Sequence, residues 1–215
     1  HFGKDRAGDT NLIEQVGREV GFDTHVVDHV EVALHDQLLA PVSSSLIRWL
    51  LTHGRVADVA RCLGRPYAVA GNVTRGEQRG RTLGVPTANL DPDQPGSVMP
   101  PGDGVYAGVV CIDEAPHPAA VSVGVKPTFG KTKRLIEAHL IDYEGDLYDR
   151  QVVIEFHRWL RDQQPFPGVD ALKAQLARDV DEVRRWSRYA SPRAGAPGGS
   201  PAGAHRAIGS DLMGR

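Results

Sequence analysis

"RLIEAHLIDYEGDLYDRQVVIEFHRWL", residues 134–160, reads as two β-strands separated by a polar turn. In a strand, successive side chains point to opposite faces. That alternation puts Ile136, Ala138 and Leu140 on one face and Leu135, Glu137, His139 and Ile141 on the other. The second segment, 151–160, is rich in Val, Ile and Phe, and Gly145 and three aspartates occupy the region between them.

Four more segments have the same character: "YAVAGNVT" (67–74), "GVPTANL" (84–90), "GVYAGVVCI" (104–112) and "AAVSVGV" (119–125). Six short strands divided by Gly, Pro and Asp point to a barrel or a sandwich. Then "PGVDALKAQLARDVDEVRRW" (167–186) places Leu172, Leu176, Val180, Val183 and Trp186 at spacings of four, four, three and three. Those spacings mark one face of a helix, expected to lie against the strands. From Ala190 onward the chain is rich in Gly, Ala, Pro and Ser, the composition of a disordered tail.

Upstream, residues 1–40 offer a helix at Asn11–Val20 and a strand in "THVVDHVEV" (24–32), too little to bury a core alone. "PVSSSLIRWLLTHG" follows, with Ser43 or Ser44 as helix cap, an apolar stripe of Leu46, Ile47, Leu50 and Leu51, and Gly54 as a stop. A second short helix, "VADVARCLG", ends at Gly64. The chain starts at His1 inside a glycine-containing loop, which reads as a fragment of a longer product.

Bulk composition narrows the function. The 215 residues are 40% hydrophobic and 24% charged, with a net charge of −2. That balance argues against a general nucleic-acid binder, so any anion site must be a local cluster of cations. No apolar run reaches the roughly 18–20 residues that span a bilayer, and no signal peptide is visible. Cys62 and Cys111 form no metal-binding or disulfide pattern and read as cytoplasmic thiols. The histidines at 25, 29, 53, 117 and 157 suggest no metal set, and Trp49, Trp159 and Trp186 read as core.

One stretch concentrates chemistry. "GNVTRGEQRGRTLGVPTANL" (71–90) gathers Arg75, Arg79 and Arg81 with Gly76, Gly80 and Gly84 ahead of Pro86. Glycine loops leave main-chain N–H groups open to phosphate oxygens, and guanidinium groups match phosphate geometry. Pro86 pushes Val85 toward an extended conformation, so Thr87 and Asn89 share one face. Two neutral oxygens on one face suit Mg²⁺, a hard ion that needs few protein ligands. The same stretch also reads as a solvated hairpin loop. Glu137, among apolar neighbours on its face, is a candidate base whose pKa such surroundings raise; the alternative is a surface carboxylate paired with Arg134 or a lysine.

In order along the chain, "GRTLGVPTANL", "GVYAGVV", "VGVKPTFG", "RLIEAHLIDYEGDLY" and "LRDQQPF" resemble the motifs of riboflavin kinases, over about residues 66–187. The likeness is to the kinase half of bacterial bifunctional riboflavin kinase/FAD synthetase. "HFGKDRAGD" and "PVSSSLIRWLLTHGRVADVARCLGRPY" resemble the end of its FMN adenylyltransferase half, with Ser43, Ser44, Ile47 and Arg48 at the nucleotide-binding positions. The early His-x-x-His motif of that half does not occur in these residues, so FAD synthesis is expected only of a longer parent.

The resemblance implies a mainly β fold: a six-stranded antiparallel Greek-key barrel with a C-terminal α-helix, after a truncated α/β nucleotidyltransferase remnant. The implied domains are 1–62 for the remnant, 63–189 for the barrel and 190–215 for the tail. It implies transfer of the γ-phosphoryl group of MgATP to the 5′-hydroxyl of riboflavin, giving FMN and ADP, with no nucleic-acid or membrane partner. Carried over by position, Thr87 and Asn89 hold Mg²⁺ and phosphate, and Glu137 is the catalytic base. Arg79, Gly80, Arg81, Gly84 and Pro86 form the ATP loop, Tyr148 lies near adenine, and Arg161 is the flavin contact. Three positions depart from the pattern: Asp5 and Asp149 stand where glycine is expected, and Lys126 where asparagine is frequent. Asp149 keeps open an alternative, a non-catalytic flavin-binding or flavin-sensing module. A kinase for another small alcohol and a partner-binding role for residues 1–60 are the other readings.

Overall fold

The structure is a computed structural model that describes residues 4–74, 87–90, 98–128 and 131–190. Six strands close an antiparallel barrel: β3 (Tyr67–Thr74), β4 (Ala88–Leu90), β5 (Gly104–Ile112), β6 (Ala115–Thr128), β7 (Lys131–Leu140) and β8 (Gln151–Arg161). Their order around the barrel is β3-β4-β7-β6-β5-β8. Strands β5, β6 and β7 form consecutive hairpins, while β4 lies beside β7 rather than β5, a Greek-key arrangement.

The alternation expected from the sequence sets the two faces. Ile136 and Ala138 point inward with no exposure, together with Val121, Val123, Ile154 and Phe156. Tyr106 fills the centre, edge-on to Phe156 at 5.3 Å and to Trp159 at 5.1 Å between ring centroids. Such T-shaped pairs suit the charge distribution of the rings. The Tyr106 hydroxyl donates to the Gly102 carbonyl, so its polar end is satisfied, and burial pushes its pKa up.

A C-terminal helix, α4 (Val169–Ala190), covers one side of the barrel. Its stripe buries Val183 completely against Ala107 and Ile141, with Val180 and Trp186 packed alongside. Ile141 lies just past the end of β7 and is buried beneath this helix.

Residues ahead of the barrel form α1 (Thr10–Val20), a hairpin of β1 (Glu31–Ala33) and β2 (Leu39–Pro41), α2 (Ser44–Thr52) and α3 (Val56–Leu63). Asp9 and Ser43 cap α1 and α2 by accepting from the amides of Leu12 and Leu46. Leu34, Ala40, Leu50, Leu51 and Val59 make a small separate core. Asp58, buried on α3, accepts from the His35 amide at 2.6 Å and from Arg55 Nε at 2.7 Å, tying the hairpin turn to the helix. The seam to the barrel runs through Val56, which joins the barrel core, and Tyr67, which packs against both clusters.

Several expectations need correction. The strand expected over residues 24–32 is only Glu31–Ala33, because the hairpin with β2 provides just three residue pairs. β4 is shorter than residues 84–90: Thr87 precedes it, and 84–86 lie outside the described residues. Trp49 is not core but 49% exposed; it sits opposite the apolar stripe of α2 and stacks on His53 at 4.2 Å. The tail expected to be disordered lies almost wholly outside the described residues, since α4 runs to Ala190.

Among the described residues with positive φ, Gly54 and Asp149 bear most directly on the barrel. Gly54 has φ 68°, and a Cβ there would stand 2.2 Å from the Trp159 ring. Asp149, between β7 and β8, has φ 61°, and its N–H donates to the Val73 carbonyl. Aspartate tolerates this conformation better than most residues, which explains how it stands where the resemblance leads one to expect glycine. Gly54→Ala combines strain with overpacking and is expected to cost about 2–4 kcal/mol. A denaturant midpoint equal to that of the parent would refute the Gly54–Trp159 seam. Asp149→Val should destabilise by about 1–3 kcal/mol, whereas Asp149→Gly should stay within about 0.5 kcal/mol of the parent. Equal effects of the two variants would show that the loop does not use this conformation.

Candidate active site

Directly paired residues in neighbouring strands place their side chains on the same face of a sheet. The registers pair Thr74 with Asn89, Asn89 with Glu137, Glu137 with Ser122, Ser122 with Val105, and Val105 with Arg161. Because their sequence neighbours Leu90, Ile136 and Val123 fill the interior, this row runs around the outside of the barrel. Residues far apart in sequence thus form a polar belt that includes Asn89, Glu137 and Arg161.

Asn89 is buried to 6% exposure, and its side-chain nitrogen donates to the Thr87 carbonyl at 3.3 Å. A carbonyl can only accept, so the amide nitrogen must face it and Oδ1 becomes the opposite end. The Thr74 hydroxyl donates to the main-chain carbonyl of Asn89 at 3.2 Å, which fixes the strand beneath. The donor set therefore fits a hard cation: a threonine and an oriented amide oxygen, with a carboxylate on the next strand. Among the described residues, no three His, Cys, Asp or Glu side chains come together as an alternative metal site.

Thr87 and Tyr148 line one cavity of about 420 Å³ at the edge of the barrel, with Val73, Leu140, Tyr143 and Leu147. The turn after β7 supplies most of its wall, and Asp146 Oδ1 accepts from the Tyr148 amide at 3.0 Å. Apolar and aromatic walls of this size suit a planar heterocycle. A second, smaller cleft of about 70 Å³ contains Glu137 with Ser122, Gly124, Leu135 and Gln163.

Arg161 occupies the same belt, but its guanidinium is engaged elsewhere. It grips Asp179 of α4 through Nε and Nη2, at 2.7 Å for the closest contact, and both groups are largely buried. Phe166 packs over its face, 5.8 Å from ring centroid to guanidinium carbon. Arg161 thereby anchors the segment after β8 to the helix. Of the remaining expected positions, Arg79, Gly80, Arg81, Gly84 and Pro86 lie outside the described residues, as do Arg75 and Gly76. Lys126 falls on β6, with its backbone paired to Lys133.

Two residues of the smaller cleft were not singled out by the sequence reading, Ser122 and Gln163. The available signal for Ser122 was a hydroxyl in the otherwise apolar "AAVSVGV". Gln163 stood inside the quoted "LRDQQPF" but carried no mark that separated it from a solvated amide.

Known proteins share this sequence and shape. The family model described as "Flavokinase: Riboflavin kinase" matches residues 63–187. A protein of Pseudomonas fluorescens named bifunctional riboflavin kinase/FMN adenylyltransferase is 39% identical over 86% of this chain and 57% of its own length. A protein of the same name from Escherichia coli K12 is 35% identical over 89% of this chain and 59% of its own length. The chain thus spans less than two thirds of these relatives. A crystal structure of a Streptococcus pneumoniae protein described as a macrolide-efflux protein superposes with a TM-score of 0.73 at 31% identity, covering 86% of this chain and 58% of that one. Among the described residues of this chain, no helix is long and apolar enough to cross a membrane. The family match takes in more than half of the residues and the whole closed barrel, and on that ground the chain belongs to the riboflavin kinase family.

Proposed function

We propose that this chain catalyses transfer of the γ-phosphoryl group of ATP to the 5′-hydroxyl of riboflavin, giving FMN and ADP, in the cytoplasm. The observation that carries the reading is the cross-strand pair Asn89–Glu137, which sets an amide and a carboxylate side by side on the outer belt. A phosphoryl acceptor and a phosphoryl donor must approach each other in line, and neighbouring strands provide fixed mounts for both.

Within this reading, Thr87 and Asn89 would hold Mg²⁺ with the phosphates. The ion, when bound, offsets the negative charge of the triphosphate and of the departing ADP. Arg79, Gly80, Arg81, Gly84 and Pro86, which precede Thr87 in the sequence, are assigned to the ATP phosphates. Tyr148 borders the adenine in the larger cavity that Thr87 also lines. Glu137 orients the riboflavin hydroxyl and accepts its proton as the new P–O bond forms and the bond to ADP breaks. An alcohol is too weak an acid to be ionised beforehand, so this transfer accompanies phosphorus–oxygen bond formation. Arg161 serves the flavin by holding the segment 161–166 in place through Asp179.

The alternative of a flavin-binding module rested on Asp149. That residue adopts a left-handed conformation, which glycine takes readily, and its N–H donates to the Val73 carbonyl. This favours an intact nucleotide site over a crippled one.

Incubation with riboflavin and MgATP, followed by chromatography, should yield FMN and ADP in equal amounts; flavin binding without ATP consumption would refute the assignment. Glu137→Gln should lower kcat by about 10²–10⁴ with ATP affinity retained, and full turnover by that variant would remove Glu137 from its role. Asn89→Ala should weaken Mg-dependent ATP binding, which titration calorimetry with and without magnesium measures. An unaltered magnesium dependence would exclude Asn89 as a ligand.

A further inference from the structure

Gln163 lies on the segment that leaves β8 and turns over the outer face of β6. Its side-chain nitrogen donates to Ser122 Oγ at 2.8 Å and to the Val123 carbonyl at 3.0 Å. The carbonyl accepts only, so the nitrogen faces the strand and Oε1 forms the other end of the amide. Gly124 makes room for this packing: a Cβ there would stand 2.7 Å from Gln163 Nε2. Ser122 is the cross-strand partner of Glu137, and all four residues line the cleft of about 70 Å³. The Arg161–Asp179 pair and the Phe166 contact hold the segment at its two ends.

The chemistry of this cleft selects a neutral alcohol. The Ser122 hydroxyl accepts from Gln163, which leaves its own hydrogen to donate, and Gln163 Oε1 accepts. Glu137 also accepts. Among the described side chains of the cleft, the Glu137 carboxyl and Gln163 Oε1 present oxygens, which suits a group that donates. A vicinal diol, which both donates and accepts, satisfies the set. The cleft, about 70 Å³, is of a size to take the end of a polyol chain.

We propose that Gln163 and Ser122 form an orienting subsite for the end of the ribityl chain, holding the 4′-hydroxyl so that the 5′-oxygen is presented to Glu137. This rests on Glu137 as the proton acceptor in the reading above. The two residues bind the hydroxyl next to the reacting one and take no proton themselves.

The test is a cycle of steady-state kinetics with riboflavin and 4′-deoxyriboflavin, on the parent chain, Gln163→Met and Ser122→Ala. With riboflavin, each variant should lose about 3–30-fold in kcat/KM, with KM for ATP unchanged. The parent should lose a similar factor on the deoxy substrate, and the variants should lose little more on it, because the contact is already gone. Losses that multiply, or variants that handle riboflavin as the parent does, would overturn the subsite alone. A parent chain that forms no FMN would overturn the phosphoryl-transfer reading and the subsite with it. Thermal unfolding identifies a variant that fails to fold, in which case the other residue carries the same cycle.

Discussion

Three residue pairs, Ala88–Ala138, Asn89–Glu137 and Leu90–Ile136, join the short strand β4 to β7. They close the barrel between its two halves, and on the other side Val73–Leu90 and Thr74–Asn89 are the pairs among the described residues that hold β4 to β3. The apolar members enforce the register, since Leu90 and Ile136 are almost fully buried. A slip of β4 by one residue would turn Leu90 into solvent and drive Asn89 into the apolar interior, while β7 stays fixed by its pairing with β6. Burying that amide there without partners costs about 2–7 kcal/mol. The packing of the interior therefore fixes the spacing of the polar groups outside, and the candidate site inherits its geometry from the core.

The outer belt needs a second restraint, because one side of a barrel strand is otherwise open to water. On the side near β5 and β8, α4 provides it. Val183 seals the helix to the sheet, and Asp179, four residues earlier, receives Arg161. That pair determines where the chain goes after β8, and hence where Gln163 meets β6. On the opposite side the turn between β7 and β8 plays the corresponding part, with Asp149 held in the left-handed region and Tyr148 turned to the larger cavity. Asp5 has the same property, with φ 57° at another position where glycine was expected. Both aspartates adopt the left-handed conformation that glycine takes readily.

Much of this was legible in the sequence because it is local. Alternation along residues 134–141 correctly separated the two faces of β7, though not which one was inner, and the spacing of Leu172, Leu176, Val180, Val183 and Trp186 located the buried side of α4. What was not legible depends on contacts between distant segments. Nothing near Asn89 announces that its neighbour will be Glu137, 48 positions on, since register is decided by all the buried residues together. Ser122 and Gln163 escaped notice for the same reason: each is an ordinary polar residue until the fold brings them together. Trp49 misled because its size suggested the core, whereas its helical phase placed it opposite Leu50 and Leu51. The exposed run of valines at 26, 27 and 30 has strand composition but lies outside the three-pair β1–β2 hairpin.

The central claim is spatial: phosphoryl donor and acceptor meet on the outside of the barrel, between Asn89 and Glu137. A crystal structure of the chain with ADP, magnesium and riboflavin measures it directly. The account predicts the terminal ribityl oxygen within hydrogen-bond reach of the Glu137 carboxylate, about 2.6–3.2 Å, and the ADP phosphates at Thr87 and Asn89. Both ligands bound with neither one beside this pair of strands would contradict it.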